Sequence, residues 1–373
     1  MKHLVLLALT AASFVHARVW NDTGVGAIVF EEAWTTAELA ATVGAAPAIG
    51  ETITELRANL VDVHNHRLAQ MDEFGIDFMV LSCAQPCVQG VSDPETAAAM
   101  AVNLNNILAD LISNNALRFG AFAALSMHNA SVAAQELNRA VNELGFLGAL
   151  VNDYQQSGAN DDTLLYYDQP EYDEFWQMVT DLDVPVYFHP RTNVQLLSSL
   201  IYSHGFGLKG PAQEFAATLS THIGIMYKRG FRVSAFAVCV CVHVRLTNVD
   251  SRFPALKIIV GHLGERLPSD LFRTDEQLLR QVPLGIPMQR NASSYWLTNL
   301  YETTAGNFAT PLLQFHKSQI GLDRIMHSID YPFALISEGQ EWVNSLADSD
   351  VLTSEELLAL KRGTAIKILK LDD

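Results

Sequence analysis

Cysteine is scarce in this chain. Cys83, Cys87, Cys239 and Cys241 are the four present in 373 residues, too few for a disulfide scaffold. Cys83 and Cys87 could pair in an oxidising compartment, but their spacing resembles no zinc site. Positive charge is also thin. Lys and Arg number 24 against 41 Asp and Glu, a formal net charge of −17. That argues against a nucleic-acid partner and against an anionic membrane surface. An anionic small molecule would need a local cation to hold it. There is no nucleotide-binding loop and no internal repeat. The one marked apolar run outside the strands, residues 4–15, is too short and too poorly flanked to span a bilayer stably.

That run reads instead as the core of a secretory signal. Lys2 supplies the positive start and Val15-His-Ala17 a small-residue cleavage site, which makes residues 1–17 a signal peptide. Sequons for N-glycosylation follow at Asn21, Asn129 and Asn291. The expected location is the secretory pathway or the exterior.

What the chain has is apolar sequence in short pieces. Hydrophobic residues make up 49% of it, enough for a large core. The stretch 256–268 is the most informative. Ile258, Ile259 and Val260 form an unbroken β-branched run, ended by Gly261 and followed at once by His262. A run without polar alternation suits a strand buried on both faces. A polar residue at the tip of such a strand stands where α/β barrels place their chemistry. Glu265, three residues on, is close enough to hydrogen-bond the imidazole.

Similar runs recur: 26–34, 78–82, 119–125, 148–152, 184–189, 256–262, 300–304 and 324–330. Helical spacing separates them, at 54–72, 96–111, 131–144, 171–182 and 211–226, and closes the chain at 338–346 and 354–369. A polar loop covers 153–170. Eight strands alternating with helices predict one (β/α)8 TIM barrel over residues 18–373. Glu31, His189, His262 and Asp330 then end four of the strands and project into one mouth. Their oxygens and nitrogens suit a single divalent ion such as Zn²⁺ or Mn²⁺, with positions left open for water or substrate.

The residues also carry a resemblance. Ile28-Val-Phe-Glu31-Glu32-Ala33-Trp34, Arg118-Phe-Gly-Ala-Phe-Ala-Ala-Leu125, Leu144-Gly-Phe-Leu-Gly-Ala-Leu-Val-Asn152, Leu165-Tyr-Tyr-Asp168, Val186-Tyr-Phe-His-Pro-Arg191, Gly261-His-Leu-Gly-Glu265, Thr303-Thr-Ala-Gly-Asn-Phe308 and Ser328-Ile-Asp-Tyr-Pro-Phe333 occur in order along the chain. In these the chain resembles the amidohydrolase-related decarboxylases, the group of aminocarboxymuconate-semialdehyde decarboxylase. It is closest to the branch acting on γ-resorcylate, 2,3-dihydroxybenzoate or salicylate. More distant members carry His-x-His where this chain has Glu31-Glu32-Ala33.

The resemblance implies a non-oxidative decarboxylase of an ortho-hydroxybenzoate, a small aromatic carboxylic acid. It implies one divalent ion, Zn²⁺ ahead of Mn²⁺ or Mg²⁺, held by Glu31, His189 and Asp330. Ala33 takes the place of a further ligand. His262 and Glu265 match the family's catalytic pair, and either His262 or Asp330 would supply the proton to the ring. Arg273 falls where relatives place a substrate-binding residue, and Arg191, Trp34 and Tyr154 are further pocket candidates that could equally be packing. Arg266 stands where many relatives have Gly. Relatives form homodimers or homotetramers. The competing readings are a metal-dependent hydrolase of a small amide or lactone on the same barrel, and a small-molecule binding protein.

Two features invite misreading. His64-Asn65-His66 imitates a His-x-His metal pair, but it falls within 61–74, which reads as helix, where i and i+2 side chains do not share a face. It also precedes the second strand rather than ending the first. Residues 232–249, where Val alternates with Cys, interrupt a stretch that relatives run through directly. They read as a retained intron or gene-model error in preference to a genuine hairpin arm, which would be an exposed, pairing-prone strand.

Overall fold

The computed structural model describes residues 18–201, 253–284 and 290–372. The predicted signal, the helix expected at 211–226 and the insert at 232–249 lie outside the described residues.

Among the described residues, eight parallel strands close into a barrel. In chain order they are β1 (Ala27–Trp34), β2 (Ile76–Cys83), β3 (Phe119–Ala121), β4 (Ala149–Asn152), β7 (Pro185–His189), β8 (Lys257–Val260), β9 (Leu300–Thr303) and β10 (Ile325–Met326). A small antiparallel hairpin, β5 (Gln155–Ser157) and β6 (Thr163–Leu165), stands outside the barrel. The hydrogen-bonded neighbours run β1-β2-β3 and β4-β7-β8-β9-β10. Backbone bonds from Ala123 to Gly148 (2.8 Å) and from Leu150 to Ala123 (3.2 Å) join the two groups on one side. The bond from Ala33 N–H to Tyr331 O (2.7 Å) joins them on the other.

Period-2 alternation sorts each strand into two layers. Ile28, Phe30, Phe78, Val80, Phe122, Leu150, Tyr187, Ile259, Tyr301 and Met326 fill the interior. Ala365, Ile368, Leu369 and Leu371 of the last helix pack on the same cluster and plug one end. The alternate residues, among them Val29, Met79, Leu81, Val186, Phe188, Ile258, Val260 and Leu300, pack outward against the helices.

The helices follow the expected positions with shifted ends. Pro94–Ser113, Ala130–Asn142, Asp173–Leu182, Thr310–Ile320 and Ile336–Ser345 cover the barrel. Three departures stand out, two with a clear physical cause. The single helix expected over 54–72 is two, Ile53–Val61 and His66–Phe74. Asp62 breaks it, accepting bonds from the N–H groups of Asn65 (3.1 Å) and Arg67 (2.9 Å). His64-Asn65-His66 therefore lies at a helix break, not inside a helix. The expected eighth strand is regular only at Ile325–Met326, because the next amides leave the ladder, His327 N–H bonding to Leu360 O (2.9 Å) and Ser328 N–H to Thr304 Oγ1 (3.1 Å). The polar loop at 153–170 hides the β5–β6 hairpin.

Candidate metal centre

The site begins with an irregularity in β1. Its pairing with β2 steps from Val29↔Met79 to Glu32↔Leu81, three residues against two. Such a bulge re-aims the side chains that follow it. Glu31 turns into the mouth of the barrel. Glu32, fully buried, turns toward the segment after β10.

Four side chains meet there. Glu31, His189, His262 and Asp330 each offer one ligand atom, and these atoms lie within 4.8 Å of one another. Glu31 Oε1 is 3.0 Å from His189 Nε2 and 3.2 Å from His262 Nε2. His262 Nε2 is 3.5 Å from Asp330 Oδ2. Both imidazoles are oriented from behind. His189 Nδ1 meets Pro190 O at 2.6 Å and His262 Nδ1 meets Glu265 Oε1 at 2.5 Å. Each Nε2 is thereby turned to the same point, the arrangement that second-shell acceptors impose on metal-binding histidines.

Glu31 is anchored by its other oxygen. The Tyr187 hydroxyl, inside the barrel, donates to Glu31 Oε2, as does Thr303 Oγ1 at 3.3 Å. Glu31 Oε1 has no hydrogen-bond donor of sound geometry among the described residues. A buried carboxylate oxygen beside two imidazole nitrogens and a second carboxylate is a donor set for a divalent cation. The residues present fit such an ion. Two glycines keep the space open. A Cβ at Gly261 would stand 2.3 Å from Glu31 Oε2, and one at Gly306 3.0 Å from Asp330 Oδ2.

Asp330 is placed by a network the sequence did not reveal. Glu32 accepts from the N–H of Ile329 (3.0 Å) and of Tyr331 (2.8 Å), the two amides flanking Asp330. Ser328 Oγ donates to Glu32 Oε1 (2.9 Å) and accepts from Glu31 N–H (3.0 Å). Arg67, also buried, donates to Ala33 O (2.8 Å) and lies 4.7 Å from the Tyr331 ring centroid.

The electrostatics follow from this crowding. Burial alone would push the His262 pKa down. The carboxylates of Glu31, Glu265 and Asp330 outweigh it and hold the value well above that of free imidazole. His189 shows the same contest with the same sign, Glu31 prevailing over burial. Burial lifts Glu32 to about 7 against its hydrogen bonds and Arg67, which pull the other way.

A narrow cleft opens over the cluster, lined by Ala33, Ser82, Ala84, Gln85, Leu150 and Phe333. Sequence reading missed Ser82, Gln85 and Phe333. Their one signal was position, at the ends of β2 and of the segment after β10. None of the expected substrate-binding residues lines this cleft. Arg191 is buried elsewhere, donating to Gln89 O (2.8 Å) and Gln156 Oε1 (3.0 Å) and stacked 4.5 Å from the Tyr154 ring centroid. It lines a separate cavity with Pro86, Gln156, Thr192 and Asn193. Trp34 packs in the outer layer, because the strand's alternation turns it away from the mouth. Arg273 is exposed on the helix Leu271–Leu279. Tyr154 is buried beside Arg191. His64 is committed to Leu111 O and the Asn115 side chain, both at 2.9 Å. Cys83 and Cys87 form a disulfide, closing the turn that borders the cleft.

An eight-stranded α/β barrel with carboxylates and imidazoles converging at the C-terminal ends of its strands defines a metal-dependent barrel enzyme. The chain belongs to the amidohydrolase family, whose model matches residues 61–371. It is 35% identical to a gamma-resorcylate decarboxylase from Rhodococcus jostii (strain RHA1), over 85% of this chain and 91% of that protein. A 2,6-dihydroxybenzoate decarboxylase from Rhizobium superposes with a TM-score of 0.81 at 34% identity, over 94% of this chain and 100% of that one. A dihydroxybenzoic acid decarboxylase from Polaromonas sp. JS666, with bound manganese and the inhibitor 2-nitroresorcinol, gives 0.79 at 33%, over 94% and 98%.

Proposed function

We propose that this chain is a divalent-metal-dependent carboxy-lyase that removes CO₂ without oxidation from an ortho-hydroxybenzoate, with 2,6-dihydroxybenzoate as the first substrate to test. The observation that carries this reading is the meeting of Glu31, His189, His262 and Asp330 within 4.8 Å. The similarity to decarboxylases of dihydroxybenzoates supports it. Manganese is the first ion to try because a relative holds it, with Zn²⁺ and Mg²⁺ as alternatives.

Glu31, His189 and Asp330 would hold the ion. When bound, it would supply Lewis-acid polarisation and fix the substrate's oxygens. The remaining work falls to side chains. Ala33, Ala84, Leu150 and Phe333 are the apolar side chains beside the cluster, and Ser82 and Gln85 the polar ones. His262 holds a proton near neutrality, since its pKa is raised and Glu265 Oε1 lies 2.5 Å away. Asn307 Nδ2, donating to His262 O at 3.0 Å, steadies the turn. Delivery of that proton to the ring carbon bearing the carboxylate breaks aromaticity. The C–C bond then cleaves, its electron pair returns to the ring, and CO₂ leaves.

The test is incubation of the purified full chain with Mn²⁺ and 2,6-dihydroxybenzoate, 2,3-dihydroxybenzoate or salicylate, with CO₂ and the phenol product measured. Release of CO₂ from at least one is expected. No CO₂ from any of them, with manganese or zinc loaded, would overturn the reading. Acid release from an amide or lactone would instead favour hydrolysis. His262→Asn should lower kcat by about 100-fold or more, the usual worth of a general acid, while Mn²⁺ still binds. Full turnover in that variant would pass the proton role to Asp330. A homodimer or homotetramer, passage through the secretory pathway and N-glycosylation complete the proposal. The Cys83–Cys87 disulfide supports an oxidising compartment.

A further inference from the structure

On β9, neighbouring residues face opposite ways. Thr303 points into the barrel, against Glu31, and Glu302 points out into the layer beneath the helix Thr310–Ile320. That layer is otherwise apolar, with Leu263, Trp296, Leu300, Leu313 and Ile320 in it. Glu302 and His316 are nevertheless 0% exposed there. Burying an ionisable pair costs free energy that a hydrophobic pair would not, so its geometry is informative.

Both Glu302 oxygens lie 3.0 Å from His316 Nδ1. An ionised carboxylate accepts only, so Nδ1 carries the hydrogen and Nε2 the lone pair. Ser269 Oγ is 2.8 Å from that Nε2. Ser269 itself is exposed. Acid, imidazole and hydroxyl thus run in line from the buried layer to solvent, each within hydrogen-bonding reach of the next. That is the signature of an activated nucleophile, recognised by geometry and roles rather than by sequence order. Gly264 makes it possible. A Cβ there would stand 2.5 Å from Glu302 Oε2. The helix Leu271–Leu279 begins two residues after Ser269, and the Asp270 side chain makes no capping bond to it.

We infer that Ser269, His316 and Glu302 form a second, metal-independent acyl-transfer site on the outer face of the barrel, taking small activated esters. Ser269 Oγ attacks the ester carbonyl carbon as its proton passes to His316 Nε2. The ester C–O bond breaks and the alcohol leaves with that proton. Water then attacks the acyl-serine, giving a proton to His316. The acid departs and Ser269 regains its hydrogen. The sum is ester plus water to acid plus alcohol.

The test uses the full chain with a fluorophosphonate probe and with p-nitrophenyl acetate. The expected result is one probe per chain, located on Ser269 by peptide mass spectrometry. A burst of p-nitrophenol should be absent in Ser269→Ala. His316→Gln should slow labelling about 100-fold or more, the usual worth of a general base. Removing metal with a chelator should leave labelling unchanged, which separates this site from the proposed decarboxylase. If wild type and Ser269→Ala label alike, or the probe lands elsewhere, or wild type stays unlabelled, the inference falls. Since Ser269 is a surface residue, its alanine variant folds, and the wild-type labelling stands as evidence on its own.

Discussion

At the scale of single residues, the centre depends on side chains that would touch no substrate. Glu32 is the clearest. It accepts from the amides on either side of Asp330 and so fixes where that carboxylate points. Glu32→Gln keeps the shape but replaces one acceptor with a donor aimed at a backbone N–H. Outer-shell losses of this kind weaken metal binding about 10- to 100-fold. Isothermal titration with Mn²⁺ should show that weakening, and unchanged affinity would mean that Asp330 is held by the chain alone. The ligating histidine adds a pH dependence. His189, with Glu31 prevailing over burial, has a pKa raised above free imidazole in the metal-free protein. A ligating imidazole must be neutral. Metal binding therefore displaces a proton from His189, and affinity should rise with pH past the ordinary imidazole range, reaching its plateau only above that raised value. Titrations in buffers of different ionisation enthalpy would detect the proton release.

At the scale of elements, the turn after β8 is under the tightest constraint. His262, Leu263, Glu265 and Arg266 all have positive φ, at 54°, 55°, 50° and 69°. Left-handed backbone in non-glycine residues is strain that surrounding structure must hold. Gly261, just before them, packs on Glu31. Gly261→Ala should therefore displace Glu31 and abolish Mn²⁺ binding, with a stability loss of about 1–3 kcal/mol for overpacking. Wild-type metal affinity in that variant would refute the steric account. Much of this element was legible in the chain. An apolar β-branched run, a glycine and a histidine announce a strand end, and the same reading located Glu31, His189 and Asp330. What was not legible is telling. The bulge in β1 depends on pairing with β2, and no local residue signals it. The helix break at Asp62 looks like ordinary polar helix surface. In sequence Arg191 and Trp34 are pocket candidates that could equally be packing; the alternation of the strands sets Trp34 in the outer layer, and Arg191 donates to loop carbonyls beside a second cavity.

At the scale of the whole molecule, the layer between β10, β9 and the C-terminal helices holds a buried titratable group. His327 is 0% exposed, with Nδ1 3.0 Å from Thr304 Oγ1 and its ring 6.3 Å from that of Trp342. Burial, helped by Lys361, holds its pKa down to about 3. In the unfolded chain the group titrates near 6.5. Between these values the unfolded state binds the extra proton, so the stability His327 permits is present above about 6.5 and is lost as pH falls toward 3. The slope for one group is about 1.4 kcal/mol per pH unit. Glu32 acts with the opposite sign. Its folded value is about 7 against an ordinary 4.5, so its contribution is present at low pH and is lost as pH rises from 4.5 to 7. In the metal-free protein the two oppose each other between about 4.5 and 6.5, and below 4.5 His327 acts without that counterweight. His327→Gln removes one of them, because glutamine cannot be protonated. Urea unfolding of both proteins from pH 7 to pH 3.5 should show wild type losing stability relative to the variant as the pH drops, by more than 2 kcal/mol across the range. A constant difference would mean that the layer between Thr304 and Trp342 tolerates an imidazolium, and that its packing does not rest on keeping this ring neutral.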